Sequence, residues 1–241
     1  MQGTLSSISL AEVWVPLFAA LLGGFLSLLG TYWALMRSHA LELQRAEKLE
    51  LKNAAQRAYE AFHKLHNAYE TAANLQRQIT EMFDTAAADG GADMEPWAKV
   101  KELIGSNFQE GVIEPSETSF LISARESELL NDVHLSQKRI WNISASAQKY
   151  NELRSQLVTL LEKHHITAEV IDGHTISAEI SGQEGVIANV WENRLQNLLG
   201  QIIEYLDTDT PEAWETLGRF KEAAEKYFGE DFPEFRLEKA R

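Results

Sequence analysis

Cysteine is absent from this sequence of 241 residues, and helix-breaking residues are absent from its longest regular stretch. Without thiols the chain can form no disulfide bond, no thiolate zinc site and no cysteine nucleophile, and its composition is compatible with a reducing compartment. No Gly or Pro occurs between Arg37 and Asp89. Because these two residue types most often interrupt helices, we expect one continuous helix through that stretch.

Charge is also absent from residues 13–36, and no Lys or Arg precedes Arg37. This apolar run has about 24 residues, whereas about 20 helical residues cross a bilayer. A cleaved signal peptide is the alternative, but the basic region that begins such peptides is missing and the run is too long. The sequence therefore predicts a transmembrane helix at 13–36, preceded by a short extracytoplasmic leader at 1–12.

The two ends of the predicted membrane helix carry residues typical of membrane interfaces. Trp14 lies at one end, and Tyr32, Trp33 and Arg37 lie at the other. Because basic residues follow the helix and none precedes it, the positive-inside rule places the N-terminus outside. We expect a single-pass protein of the plasma (inner) membrane, in contact with the lipid bilayer, with its domain at 37–241 in the cytoplasm.

Small residues recur every four positions in the membrane helix, at Ala19, Gly23, Ser27 and Thr31. This spacing places them on one helix face, where they let two helix backbones approach closely in lipid. We therefore expect this face to associate either with a second copy of the chain or with the helix of another membrane protein.

The chain is acidic, with a formal net charge of −14. The exception is the stretch 37–66, which contains six basic and four acidic residues, whereas the rest of the domain carries about −15. An acidic surface repels phosphate backbones, so nucleic acid is an unlikely partner and a cytoplasmic protein fits the charge better.

Helical periodicity dominates the domain and predicts a mainly all-α fold. Apolar residues spaced three and four apart form a coiled-coil-like seam; they are Leu51, Ala55, Ala58, Phe62, Leu65, Tyr69, Ala72, Ile79 and Phe83. We predict a long helix at 37–88, a connector at 89–118 with a short helix from Glu95 to Ile104, and a second long helix at 119–165. Because the long helices have similar lengths, an antiparallel hairpin with the connector at its tip is the simplest topology.

The remaining segments complete the predicted helical bundle. Alternating residues at 166–181 indicate a small β-hairpin, and register favours a loop of three residues at 172–174. Two helices follow at 183–229, because Thr210 and Pro211 resemble an N-cap and a first helical residue. The tail at 230–241 contains aromatic residues that can dock on the bundle.

Histidines suggest a metal site only weakly. Glu60/His63 and Glu162/His165 have the Glu-x-x-His spacing of di-iron bundles, with Glu192 and Glu204 as candidate partners. In the predicted topology the two pairs lie tens of ångströms apart, at about 1.5 Å per helical residue. We therefore expect no metal and no cofactor.

Arg57 and His63 have the R-x5-H spacing that resembles the active-site signature of HEPN ribonucleases, which are helical. Ala58 departs from that signature, in which a polar residue follows the Arg. Both residues fall within one predicted helix, about 120° apart around its axis, which is a poor arrangement for shared proton transfer. A membrane-tethered ribonuclease that uses this pair is the alternative function.

No phosphate-binding loop, nucleophile elbow or HExxH motif occurs in the sequence. We expect a non-enzymatic, membrane-anchored assembly or signalling module that self-associates through its membrane helix. A membrane-perturbing pore of the kind formed by bacterial defence effectors is a sharper variant, by architecture alone. An accessory subunit of a larger membrane complex is a further alternative.

Overall fold

The computed structural model describes residues 10–105, 111–163 and 182–237. It contains five α-helices and one short 3-10 helix, which are α1 (Leu10–Ala88), α2 (Pro96–Lys99), α3 (Ser119–Ser123), α4 (Ser127–Lys163), α5 (Gln183–Phe228) and the 3-10 turn Gly229–Asp231. No β-strand occurs in the described ranges, so the all-α class is confirmed. The predicted β-hairpin at 166–181 lies outside the described residues and has no support.

Two compact units divide the chain, at residues 1–53 and 54–241. In the first unit, α1 is uninterrupted, and every described side chain from Trp14 to Asn53 is exposed. The predicted continuous helix through 37–88 therefore matches α1, which ends at Ala88.

The second unit is a bundle of α4, α5 and the part of α1 that begins at Ala54. One buried cluster joins Ala55–Leu65 of α1 to Leu129 and Val133 of α4, and another joins Ala68–Ile79 of α1 to later residues of α4. Progress along α1 thus coincides with progress along α4, so these two helices run parallel.

Contacts between α1 and α5 show that these two helices are antiparallel. On α1, Tyr69 lies against Trp214 with ring centroids 5.0 Å apart, and Gln76 donates a hydrogen bond to Asp207 at 2.9 Å. Residue numbers therefore rise along α1 in the direction in which they fall along α5.

The contacts between α4 and α5 show that α5 is antiparallel to α4 as well. Asp132 pairs with Arg219 at 2.8 Å and Lys163 pairs with Glu184 at 2.6 Å. The predicted antiparallel hairpin of α1 and α4 is therefore wrong, because two helices that both run against α5 must be parallel to each other.

The connector makes the parallel arrangement possible by crossing back along the bundle. Ile104 bonds to Gln78 of α1, and further along the connector Glu117 bonds to Lys64. The connector therefore runs antiparallel to α1. A connector of this length can run back along α1 before α4 begins, so that α4 lies parallel to α1. The predicted connector would have remained at the tip between two antiparallel helices. The predicted helix from Glu95 to Ile104 is also too long, because only Pro96–Lys99 is helical.

A turn interrupts the predicted helix at 119–165. Arg125 adopts a left-handed conformation with φ 63°, Glu126 N–H bonds to the Leu121 carbonyl at 2.8 Å, and Arg125 N–H bonds to Ile122 at 3.1 Å. These two bonds form a Schellman cap that ends α3. Because such caps usually contain Gly, a cap at Arg125 was not predictable from its residue type.

The predicted division of 183–229 into two helices is wrong, because α5 passes through Pro211 without interruption. Thr210 is buried and its hydroxyl has no hydrogen-bond partner, so it does not act as an N-cap. Pro211 is exposed, as is Asp207, whose carbonyl is the one that a proline four residues later leaves unpaired. Water can bond that carbonyl while buried neighbours hold the other side of the helix.

The described part of the tail docks on the bundle. Phe232 is 2% exposed, and Phe235 lies 4.4 Å from Phe62, between ring centroids. Gly229, with φ 57°, turns the chain at the end of α5. The tail is thus part of the buried cluster around Ala55–Leu65 of α1.

Candidate interaction site on the first helix

Large apolar side chains are exposed along the part of α1 that lies in the first unit. Leu21, Phe25 and Trp33 are 64%, 61% and 72% exposed. Among the described residues, α1 is the one helix long and apolar enough to cross a membrane, by its length and composition. An apolar surface of this extent needs a lipid or protein environment to cover it.

The small-residue face of α1 is open. A side chain added at Gly23 would meet no atom within 4 Å. Thr31 donates its hydroxyl hydrogen to the Ser27 carbonyl at 2.8 Å, so this hydroxyl is satisfied within the helix. The face therefore presents little polarity and no bulk, which suits close helix contact.

The aromatic residues predicted to lie at the membrane interfaces are accessible on the same helix. Trp14 is 51% and Tyr32 is 61% exposed, and Trp14 lies 6.4 Å from Phe18 between ring centroids. Aromatic rings at both ends of an apolar helix match the positions of the two membrane interfaces.

Arg57 and His63 do not contact each other in the described structure. Arg57 is half-buried, and its Nε is buried without a hydrogen-bond partner. His63 is exposed and packs edge-on against Tyr59, with ring centroids 4.4 Å apart. The two side chains leave α1 on different sides, as their spacing predicts.

The Glu-x-x-His pairs lie far apart. Glu60 is in the part of α1 that packs beside the start of α4, whereas Glu162 is at the end of α4. The length of α4 puts roughly 50 Å between these levels. In the described ranges no three metal-binding side chains come together; His165 lies outside those ranges.

Side-chain amides hold the connector, and sequence reasoning missed this. Gln78 of α1 accepts a hydrogen bond from Ile104 N–H at 2.9 Å and donates one to the Ile104 carbonyl at 2.7 Å. Asn151 of α4 likewise accepts a hydrogen bond from Leu103 N–H at 2.9 Å and donates one to the Leu103 carbonyl at 2.8 Å. Two amides thus bond adjacent backbone units from opposite sides, as neighbouring strands would.

A third amide, Gln137, repeats this pattern further along the connector. It accepts from Ile113 N–H at 2.9 Å and donates to the Gly111 carbonyl at 3.3 Å. Sequence alone gives no sign of these contacts, because Asn and Gln look like ordinary polar residues until their backbone partners are known.

Two buried groups have perturbed pKa values, both outside the first unit. Burial raises the pKa of Tyr150 to about 12, and Arg154 opposes this shift. Burial also raises the pKa of the Asp209 carboxyl above its ordinary value, against the opposing charge of Arg139. Tyr150 bonds to the connector backbone and Arg139 bonds to Asp209, so these groups stabilise packing rather than form an open site.

No protein-family model matches the chain, and no curated protein or solved structure matches it significantly. The candidate site therefore rests on the physical character of α1 in the first unit.

Proposed function

We propose that this protein is a single-pass, membrane-anchored interaction module without enzymatic activity, and that its membrane helix self-associates. The observation that supports this most is that every described side chain of α1 from Trp14 to Asn53 is exposed. A bilayer would cover the apolar part of this helix, and its open small-residue face allows a second helix to approach closely.

The mass of the full-length protein in detergent tests self-association. Light scattering, with the detergent contribution subtracted, should give a discrete oligomer for wild type. Gly23→Leu adds bulk to the small-residue face and should give a smaller species. Leu22→Phe adds bulk about 120° around the helix from the centre of this face and serves as the control. A wild-type monomer would overturn the proposal.

In our proposal the domain faces the cytoplasm and the N-terminus lies outside. Protease added to intact, right-side-out vesicles, whose cytoplasmic face lies inside, should then leave the domain uncut, and detergent should expose it. Cleavage without detergent would reverse the orientation.

A membrane-perturbing assembly is the sharper variant of this function. Ser27 and Thr31 supply the aliphatic hydroxyl groups of the membrane helix, and the Thr31 hydroxyl already donates to the Ser27 backbone carbonyl. A lumen between such helices is narrow or apolar. Release of a small dye from vesicles by wild type, and its absence with Gly23→Leu, would distinguish this variant from a scaffold.

Two further functions remain as alternatives. An accessory subunit would be monomeric alone and would co-purify stoichiometrically with another membrane protein. A ribonuclease would lose RNA cleavage when Arg57 and His63 are both replaced by Ala. The buried, unpartnered Nε of Arg57 is the observation that keeps the second alternative worth testing.

A further inference from the structure

The part of α1 between the predicted membrane helix and the bundle carries its charges on two different sides. At about 100° per residue, the basic residues Arg37, Arg45, Lys48 and Lys52 fall within an arc of about 80°. We call these four residues the basic stripe. All four side chains are exposed.

The acidic residues of the same segment lie across the helix. Glu42, Glu47 and Glu50, here called the acidic flank, occupy an arc of about 140° whose centre is roughly 170° from that of the basic stripe. Each side also has an exposed leucine. Leu41 falls within the basic stripe and is 47% exposed, and Leu43 falls within the acidic flank and is 53% exposed.

These charges do not satisfy one another within the helix. No Glu of the acidic flank has a Lys or Arg four residues away, whereas Lys48 and Lys52 are like charges at that spacing. No ion pair forms among residues 37–53, all of which the structure describes. Like charges four apart destabilise a helix by about 0.2–0.5 kcal/mol, so the basic stripe gains from an external anionic partner.

Lipid headgroups reach only one end of the basic stripe. Lys48 and Lys52 lie about 16 and 22 Å along the helix from Arg37. Electrostatic attraction to a membrane surface decays over a Debye length of about 8 Å at physiological salt. In an upright helix, the two lysines are therefore beyond effective reach of anionic headgroups, which favours a protein partner.

A second copy of this chain has the matching charges at the matching height. Copies anchored in one membrane present equivalent residues at the same level. Glu47 is then one residue from the level of Lys48, and Glu50 is two from that of Lys52, an offset of about 1.5–3 Å. Glu42 is similarly three residues from Arg45.

We propose that parallel copies associate side by side, with the basic stripe of one copy against the acidic flank of the next. The contact also brings Leu41 of one copy near Leu43 of its neighbour. The inference rests on the proposed self-association and specifies its symmetry. Each copy uses two different surfaces, so the contact is heterologous and builds a ring or a chain. A two-fold dimer would place like charges together.

Two charge-reversal variants of the full-length protein test this contact. E42K/E47K/E50K makes both sides basic, and R45E/K48E/K52E makes both sides acidic. Alone, each variant should dissociate at a concentration at least about tenfold higher than wild type, because each contact becomes repulsive. Mixed in equal amounts, the two variants should assemble with each other and restore the oligomer.

The matched control for E42K/E47K/E50K is D84K/D89K/D93K, which makes the same change in net charge at exposed residues of the second unit. It should assemble like wild type. Assembly of both reversal variants alone, or failure of their mixture, would overturn the inference. An effect of R45E/K48E/K52E confined to vesicles containing anionic lipid would also overturn it, and would assign the stripe to headgroups.

The same measurements separate this inference from the proposed function. A wild-type monomer in detergent and in neutral vesicles would overturn both. A wild-type oligomer that is disrupted by Gly23→Leu, but unaffected by either reversal variant, would overturn the inference alone.

Discussion

Lys64 donates hydrogen bonds to both carboxylate oxygens of Glu117, at 2.7 and 2.9 Å, across 53 positions of sequence. Glu117 is 6% exposed, and its carboxylate also accepts a hydrogen bond from Glu114 N–H at 2.8 Å. Lys64 donates further to the Val112 carbonyl at 3.0 Å. This ion pair fastens the end of the connector to α1, where the chain is about to enter α3.

Lys64→Met should lower the free energy of unfolding by about 2–4 kcal/mol, because it leaves the Glu117 carboxylate buried without its cation. Glu117→Gln should have a smaller effect, since the remaining lysine is partly exposed. Chemical denaturation of the full-length protein in detergent measures both. The double variant K64M/E117L should be more stable than K64M, and additive losses would contradict this account.

Tyr150 makes stability depend on alkaline pH. Its hydroxyl donates to the Val100 carbonyl at 2.7 Å, and burial raises its pKa from 10.0 to about 12. The unfolded chain releases this proton at a lower pH than the folded one. The contribution is therefore complete below pH 10 and lost as the pH rises to about 12.

Tyr150→Phe should lower stability by about 1 kcal/mol at neutral pH and remove this part of the alkaline loss. The effect is modest because Arg154 still donates to the Val100 carbonyl. Denaturation at neutral and alkaline pH, with the exposed Tyr205→Phe as control, checks it. Equal alkaline losses in wild type and Tyr150→Phe would contradict the assignment.

Arg125→Gly should stabilise the protein by up to about 1 kcal/mol, because Arg125 has φ 63° and a left-handed residue with a Cβ is strained. Arg125→Val should destabilise it by more, since a branched side chain tolerates this conformation poorly. Thermal unfolding of both variants gives the comparison. A loss of stability in Arg125→Gly would show that the arginine side chain itself matters.

Pro211→Ala should raise stability by about 1–2 kcal/mol. Alanine supplies the missing N–H and is about 3 kcal/mol more favourable inside a helix, partly offset by the greater freedom of the unfolded chain. Gly200→Ala, in the same helix and with open space for a Cβ, should gain about 1 kcal/mol and serves as reference. A loss of stability in Pro211→Ala would show that α5 requires a local irregularity there.

Helix α1 was predictable because the features that favour it are local in the sequence. An unbroken run without Gly or Pro, with an apolar seam from Leu51 onward, sufficed to predict a helix that ends at Ala88. The all-α class follows from the same periodicity.

The direction of α4 relative to α1 was not predictable from helix lengths, because parallel and antiparallel packing bury the same apolar faces. The deciding contacts, such as Gln78 with Ile104 and Lys64 with Glu117, join distant positions through ordinary polar residues. Val186 of α5 is 64% exposed although it is apolar, and apolar periodicity alone does not show where a neighbouring helix ends.

The returning connector has a consequence for synthesis on the ribosome. The buried face of α1, from Ala55 to Ile79, is completed by α4 and by residues of α5 as late as Phe228. At about 5–20 residues per second, that face waits about 7–30 seconds for Phe228. During that time the nascent chain exposes an apolar helix surface to chaperones and to neighbouring nascent copies.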